Sequence, residues 1–404
     1  MKPIRLPEPP GSGMEIPEIF TGGGANVVHR AVVIGSGSTS TESQCLGLVR
    51  ALGLADHLTL YRVTRPSGGI NEWLHLLPIS MHKLIDQVLR QLFRNTRFAL
   101  AVQGRKPYRV LNGGYVGLSS VLEVDTKKIV ATARGTFDKE GPTLVVACGW
   151  DTISYSSSIR HLASENVFVI QIQHPRSRLD RFDLVVTPRH DYYALTASGQ
   201  QEVPWLFRRW ITPQESPGGN VVLTVGALHQ ADSAALRLAA IAWHDELAPL
   251  PKPLLIVNIG GPARNCKYGV DLVRQLITSL DNVLDSCGSV RISFSRRTPQ
   301  KVSDIIFKEF AEHPKVYIWD GEADSISMLS EACSTGKPVY VIGTEHCKWK
   351  FSAFHKTLRE RGVVRPFTGL EDISNSWSYP PLNDAIEVAT RVREVIAERG
   401  WTVG

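Results

Sequence analysis

The residues best suited to holding a ligand come directly after an apolar run at 254–259. Gly260 and Gly261 let the backbone approach a ligand closely, and Arg264 in the same loop brings a charge that pairs with phosphate. Arg296 follows the next apolar run, at 290–294. Loops after neighbouring parallel strands meet at one edge of a sheet, so these residues are expected to face one ligand. They form a candidate phosphate site. An equally good interpretation is that the arginines are solvated on the surface and bind no ligand.

A second candidate cluster opens a predicted helix at 325–334. Ser325 and Ser327 stand at its start, and Glu331 follows one turn later. In glycosyltransferases of the B class, a Ser/Thr-rich helix start and a later glutamate hold phosphate and ribose, and this stretch is similar. The alternative is ordinary capping, because Asp324 or Ser325 caps a helix whatever that helix binds.

Catalytic residues are harder to assign. His174, His190 and Asp191 lie near predicted strand ends, where a general base is conceivable, but a histidine in such a place favours a hydrogen-bonded structural role. The loop at 35–43, GSGSTSTES, is a weak candidate anion-binding turn, and a simple tight turn is the preferred alternative. The sequence carries no motif of a metalloenzyme, a serine hydrolase or a P-loop protein. We therefore assign no catalytic residue, no metal and no cofactor.

A basic stretch near residue 350 is the candidate contact for an acidic partner or lipid surface. Its members are Lys348, Lys350, Lys356 and Arg359. The alternative is a solvated helix face. The net charge of +6 favours weak attraction to anionic surfaces, but no nucleic-acid-binding motif accompanies it.

The composition is that of a folded protein. Hydrophobic residues make up 43% and charged residues 21% of 404 positions, which is enough for two domains with separate cores. The apolar runs have strand length, far short of the roughly 20 residues that cross a bilayer. Six cysteines without a CxxC pair indicate a reducing compartment. They are Cys45, Cys148, Cys266, Cys287, Cys333 and Cys347. Cys148 and Cys333 lie in apolar or small-residue surroundings, which favours buried thiols over nucleophiles.

Short apolar strands alternate with amphipathic helices in both halves, which predicts an α/β fold with mainly parallel sheets. A break rich in proline and glycine at 204–220 predicts a domain boundary. We expect a flexible N-terminal tail (1–27), an N-terminal Rossmann-like lobe (28–212), a C-terminal Rossmann-like lobe (220–380) and a C-terminal helix with its tail (381–404). Two such lobes across a cleft form a glycosyltransferase-B-like arrangement, by analogy of pattern.

Five sequence blocks carry a family resemblance. They are SQCLGLVRALGL at 43–54, QIQHPRSRLDRFDLVVTPRHD at 171–191, NIGGPARNCKYG at 258–269, SFSRRTP at 293–299 and the long block at 325–362. Together they resemble the plant elongated-mitochondria family of mitochondrial fission factors, and the likeness covers nearly the whole chain after about residue 25.

The resemblance implies a peripheral adaptor on the cytosolic face of the outer mitochondrial membrane, with a pool in the cytosol. Such an adaptor helps to localise a dynamin-related GTPase to division sites, and it is expected to affect peroxisome division as well, since the two organelles share division machinery. The cleft residues are then vestigial and the protein is not an enzyme. The alternative is a glycosyltransferase that uses a nucleotide-sugar donor in the cleft.

The sequence departs from the family pattern at two places. The loop at 36–43 differs from the glycine- and proline-containing version expected there, which puts a nucleotide site in the first lobe in doubt. WDGE at 319–322 runs directly into ADS at 323–325, where similar proteins carry a helix and a strand. A Ser-rich helix start should also follow its own apolar strand, and none precedes this one. We predict a strained or poorly ordered join around 320–325, from a splice variant or a gene-model error.

Overall fold

The computed structural model describes residues 26–64, 81, 83–85, 87–88, 121–202, 213–262, 266, 269–295, 297–322 and 328–404, with the side chains of 320–322 excepted. The strands are β1 (Val27–Val28), β2 (Arg30–Gly35), β3 (Leu58–Arg62), β4 (Val121–Glu123), β5 (Thr143–Cys148), β6 (Val167–Ile172), β7 (Leu184–Pro188), β8 (Val221–Thr224), β9 (Leu254–Ile259), β10 (Ser289–Phe294), β11 (Val316–Glu322), β12 (Val339–Val341), β13 (Val364–Pro366) and β14 (Thr402–Val403).

The α-helices pack around these strands. They are α1 (Thr39–Ala51), α2 (Thr126–Glu140), α3 (Ile153–Ala163), α4 (Ala197–Glu202), α5 (Ser233–Ala242), α6 (His244–Leu247), α7 (Val270–Val283), α8 (Gln300–Phe310), α9 (Met328–Ser334), α10 (Lys350–Glu360) and α11 (Asp384–Glu398).

Seven parallel strands form the larger sheet, in the order β4-β3-β2-β5-β6-β7-β8. Every residue of β5 and β6 is buried, as expected of central parallel strands covered on both faces. Helices α1 and α11 pack on one face through residues such as Leu48 and Val392. Helices α2 and α3 pack on the other through residues such as Ile129 and Ile159. The carboxyl edge of this sheet therefore lies on a rigid core.

The second half holds two smaller parallel sheets. One has the order β11-β10-β9, and the other pairs β12 with β13. Helices α7 and α8 cover one face of the three-stranded sheet through a cluster that includes Leu280 and Phe310. The α/β class, the parallel sheets and the C-terminal helix predicted from the sequence are confirmed.

Two elements lie on a different sheet from the one that the sequence order suggests. Strand β8, which follows the predicted boundary, pairs with β7 and completes the first sheet, because the edge of a buried parallel strand needs a partner. Helix α11 returns to the first sheet and packs beside α1. Strand β14 then pairs with β1, which joins the two ends of the described chain.

Candidate functional site

The loop after β2 is filled by a side chain of the protein itself. Glu42, in the first turn of α1, is fully buried, and its Oε1 atom accepts a hydrogen bond of 3.0 Å from the backbone N–H of Gly37. Arg62 at the end of β3 donates to both carboxylate oxygens, with Nε–Oε1 and Nη2–Oε2 distances of 2.7 Å. This is the bidentate geometry that a guanidinium makes with a carboxylate.

The Glu42 carboxylate occupies the space in this loop that an external anion would need. A Cβ atom added at Gly35 would lie 2.5 Å from Glu42 Oε1, so the glycine is needed for the approach of this carboxylate. A carboxylate at a helix N-terminus also satisfies the partial positive charge that would attract a phosphate. The sequence analysis preferred a simple tight turn for this loop, and this geometry fits that prediction.

The loop after β9 is also closely packed. A Cβ atom at Gly261 would lie 2.3 Å from the carbonyl oxygen of Arg297. Thr298 Oγ1 donates to the carbonyl oxygen of Ile259 at 2.8 Å and accepts from the N–H of Ser295 at 3.0 Å. The structure thus brings Gly260 and Gly261 against the loop that follows β10, as the strand order predicted. Arg264 and Arg296 lie outside the described residues.

The start of α9 faces a junction between the two halves. Ser325 and Ser327 lie outside the described residues, whereas Glu331 lies in α9. Burial lowers the pKa of His229, and the nearby charge of Glu331 partly opposes that effect. Ser330, the residue before Glu331, accepts through Oγ from the N–H of Ala227 at 3.1 Å. Glu331 is therefore placed beside the segment that follows β8.

Asp384 holds the same segment from the other side. Its two carboxylate oxygens accept from the N–H groups of Val225 and Gly226, both at 2.8 Å. Burial raises the pKa of this carboxyl, and the two N–H donors oppose that effect. The segment 225–227 is thus held by Ser330 of α9 and Asp384 of α11. The sequence analysis selected neither side chain, because both lie more than 100 residues from this segment and form no local motif with it.

The basic stretch meets the first half of the chain through one residue. Lys350 Nζ lies 2.8 Å from Oδ1 of Asp191, and Asp191 Oδ2 accepts from Thr187 Oγ1 at 3.0 Å. Lys348 and Lys356 are exposed, and Lys356 lies 3.8 Å from Glu360 on the same helix. Arg359, also exposed, donates to Thr344 Oγ1 at 3.3 Å. Lys350 is thus engaged in an internal contact, and the acidic-partner role of the others stays a prediction.

Around this ion pair lies a cluster of histidines. The His190 and Phe354 rings lie 5.1 Å apart, centroid to centroid, and His355 is the next residue on α10. Burial lowers the pKa of His190 to about 4, and it also lowers the pKa of His355. Burial would raise the pKa of Asp191, but the Lys350 charge and hydrogen bonds hold it below its usual value. Neutral histidines thus pack around one charged pair.

Backbone strain gathers near the same cluster. Gln173 and Arg176 have φ values of 72° and 52°, and Trp349 has a φ of 59°, all in a region that residues with a Cβ rarely adopt. His174, between the first two, accepts from the N–H of Arg176 at 3.0 Å, and its ring lies 5.7 Å from that of Tyr192. Strain of this kind is typical of functional or interdomain contacts. It marks this face as one place to test for function.

One disulfide differs from the expectation of unpaired thiols. Cys266 and Cys347, 81 residues apart, are joined with their Cα atoms 4.0 Å apart. They also form an isolated backbone bridge between the loop after β9 and the segment before α10. The long separation explains why the sequence did not reveal the pair. Cys148 and Cys333 are free and buried, as predicted, and so are Cys45 and Cys287.

A groove of about 540 Å³ lies away from the predicted site residues, at the end of α3. Arg160, Arg178 and Asp180 are among the residues that line it. None of the helices in the described ranges is both long and apolar enough to cross a bilayer.

A family model and a curated relative both match the chain, and both point to the same family. The sequence model described as Mitochondrial fission ELM1 matches residues 40–323 and 322–396. The Arabidopsis thaliana "Mitochondrial fission protein ELM1" is 59% identical over 425 residues, and the alignment covers all of both chains. An uncharacterized protein of Rickettsia prowazekii is 27% identical over 290 residues, which cover 63% of this chain and 80% of that protein.

Solved structures of low sequence identity follow a similar chain path. The UDP-GlcNAc 2-epimerase of Methanocaldococcus jannaschii has a TM-score of 0.43 and 12% identity, over 90% of this chain and 98% of that one. A putative UDP-N-acetylglucosamine 2-epimerase of Listeria monocytogenes has a TM-score of 0.45 and 12% identity, over 92% and 97% of the two chains. At these scores the likeness carries no argument about activity.

Proposed function

Because the chain belongs to the mitochondrial fission ELM1 family, we propose that it is a peripheral adaptor for the machinery that divides mitochondria. In this proposal it helps to localise a dynamin-related GTPase to division sites on the cytosolic face of the outer mitochondrial membrane. Through the same GTPase it also affects peroxisome division. The observation that carries the proposal is the 59% identity over the full length of a mitochondrial fission protein.

The loop around Glu42 argues against a nucleotide site in the first half of the chain. In a sheet of parallel strands, the first such loop is where a nucleotide phosphate is usually held. Here a buried carboxylate of the protein occupies that position and is neutralised by Arg62. The contact stabilises the fold, and the protein then acts through its surface.

The surface that we propose for the acidic partner is the exposed part of the basic stretch, Lys348, Lys356 and Arg359. Lys350 holds α10 against the first half through Asp191, which fixes the orientation of these side chains. Exposed like charges of this kind steer an acidic partner, and their effect weakens as salt is added.

The test is recruitment of the dynamin-related GTPase. Deleting this protein should elongate mitochondria and reduce the GTPase at division sites, and restoring it should reverse both. If GTPase localisation and mitochondrial length do not change on deletion, the adaptor function is wrong.

The surface is tested separately by charge reversal. The double variant Lys348→Glu with Lys356→Glu should weaken GTPase binding in a pull-down and reduce its dependence on salt. The matched control is Lys127→Glu with Lys128→Glu, since both lysines are exposed at the start of α2 on the other half. Equal binding by both double variants would reject this surface and leave the adaptor function standing.

We do not adopt the glycosyltransferase alternative, and a thermal-unfolding assay checks that choice. A true donor at 100 times its dissociation constant adds about 2.7 kcal/mol to the free energy of unfolding. UDP-GlcNAc and other nucleotide sugars are expected to leave the melting temperature unchanged. A donor that raises it, and whose effect is lost in a Gly260→Ala variant, where an added Cβ atom meets no neighbour within 4 Å, would return the cleft to consideration.

A further inference from the structure

The groove of about 540 Å³ at the end of α3 lies at the amino-terminal edge of the larger sheet. One wall is the second half of α3, and the other is the turn at 178–181, which precedes β7. The loops after β2 and β9, which the sequence analysis considered for anions, follow the carboxyl ends of their strands instead. Small-molecule sites have volumes of about 300–1,000 Å³, so this groove has room for a small organic ligand.

Contacts with the core fix both walls of the groove. Asp183 is buried, and its carboxylate accepts from the N–H of Val169 and from Nε of Arg160, both at 2.7 Å. Arg160 is thereby held on the last turn of α3. On the other wall, Nδ2 of Asn220 donates to the carbonyl oxygen of Leu179 at 3.0 Å. A ligand that enters walls already held in place orders fewer side chains on binding.

Positive charge exceeds negative charge in the lining of the groove. The charged residues that line it are Arg160, Arg178, Arg181 and Asp180. Three arginines against one aspartate leave an excess of two positive charges. Behind the wall, Asp183 does not cancel this excess, because its Oδ1 atom also accepts from Arg399.

The guanidinium groups of the groove have donors to spare. Arg178 Nε donates to Oδ1 of Asp180 at 3.2 Å, but the two side chains are 77% and 58% exposed, so water competes for this contact. Arg181 is exposed and forms no hydrogen bond or ion pair with any described residue. Arg160 uses only its Nε atom within the described ranges. The remaining N–H groups suit phosphate oxygens, which guanidinium forks bind in pairs.

We propose that this groove binds a phosphomonoester group carried by a small polar molecule. A phosphomonoester has a charge of about −1.5 to −2 near pH 7, which matches the excess of the lining. Ser157, Ser158 and His161 also line the groove and offer hydrogen bonds to hydroxyl groups on the rest of the ligand. The ligand is either a free phosphorylated molecule or a lipid headgroup. The lipid source rests on the proposed attachment to a membrane surface, whereas the free source does not.

The experiment measures binding of two matched pairs of probes to the full chain. Inositol bisphosphate and inositol are titrated in solution by calorimetry. Phosphatidylcholine vesicles that contain either phosphatidylinositol phosphate or phosphatidylinositol are compared by co-sedimentation. Within each pair only the first probe carries a phosphomonoester. We expect binding of the phosphomonoester probe in at least one pair and none of its partner, and the pair that responds identifies the source.

Substitutions then locate the bound group. The double variant Arg178→Gln with Arg181→Gln should weaken binding by about tenfold or more, since two charge-assisted contacts are lost. Its melting temperature should not change, because both side chains are exposed. The matched control is Arg237→Gln with Arg274→Gln, which removes the same charge from exposed positions of α5 and α7 and should bind normally. Asp180→Asn should act in the opposite direction and tighten binding by about threefold, since it removes the negative charge of the lining.

The proposal is overturned if neither phosphomonoester probe binds, or if phosphatidylinositol or inositol binds equally well. Equal losses in the two double variants would also overturn it, because the attraction would then be a general effect of net charge. These outcomes leave the adaptor function untouched, since recruitment of the GTPase is measured separately. Conversely, unchanged mitochondrial length on deletion would reject the adaptor without affecting calorimetric binding at the groove.

Discussion

Glu42 is a buried carboxylate whose charge is balanced within one loop. Replacement by Gln keeps the size of the side chain but removes the buried negative charge that pairs with the Arg62 guanidinium. Breaking such a pair costs about 3–5 kcal/mol, so Glu42→Gln should lower the free energy of unfolding by roughly that amount. Urea unfolding followed by circular dichroism measures it.

A more exposed pair, between the start of β2 and the end of α2, provides the control. Glu140 lies 2.6 Å from Arg30, but its side chain is 47% exposed. Exposed pairs contribute about 0–1 kcal/mol, so Glu140→Gln should change the free energy of unfolding by less than about 1 kcal/mol. Equal losses in the two variants would contradict the internal role assigned to Glu42.

His190 makes stability depend on pH. Its folded pKa of about 4 lies below the value near 6.5 of an unfolded chain. As pH falls, the unfolded chain binds the proton first, so the contribution is complete above pH 6.5 and is lost between pH 6.5 and 4. Asp191, Lys350 and His355 are the charged or titratable groups that act on it.

The expected loss is about 2 kcal/mol between pH 7.5 and pH 5 from His190 alone. In His190→Gln the free energy of unfolding should therefore fall less over that range than in the unmodified chain. His244→Gln, at an exposed histidine, is the matched control and should follow the unmodified chain. A parallel pH dependence for all three proteins would show that His190 titrates normally in the fold.

At the scale of elements, Asp384 joins the first turn of α11 to the chain that leaves β8. An Asn at this position accepts through one oxygen only, so either Val225 or Gly226 would lose the acceptor for its buried N–H. An unpaired buried donor costs about 1–3 kcal/mol. Asp384→Asn should lower stability by that amount and speed hydrogen exchange at 225–227, whereas Asp372→Asn in an exposed turn should not.

Most helices and strands could be predicted from the sequence. The apolar runs at 254–259 and 290–294 became β9 (Leu254–Ile259) and β10 (Ser289–Phe294), so their boundaries agree within one residue. Sequence order alone could not show that β8 and α11 belong to the first sheet, because that choice depends on which edges and faces remain open after folding. The Glu42–Arg62 and Asp191–Lys350 contacts were not readable either, since separations of 20 and 159 residues leave no local pattern.

At the scale of the whole molecule, Lys350 of α10 joins the basic stretch to the segment after β7 through an ion pair with Asp191. The Lys350–Asp191 pair is partly buried and lies beside the His190–Phe354 ring contact, so both charges are partly removed from water. Its contribution is best isolated by a double-mutant cycle of Lys350→Met and Asp191→Asn. The coupling energy is expected to be about 1–2 kcal/mol, above the value for an exposed pair.

The same variants should change the relation between the two halves. With Lys350→Met, the contact between α10 and the segment 189–195 loses its ion pair and keeps only packing contacts such as the His190–Phe354 ring pair, so small-angle scattering should show a larger radius of gyration. Lys356→Met removes a charge one and a half turns further along the same helix, where the partner is Glu360 within α10, and it should leave the radius unchanged. If the radius is the same in both variants and the coupling energy is zero, the ion pair does not hold the halves together. The orientation of the basic stretch would then have to come from the ring contact and the Cys266–Cys347 link.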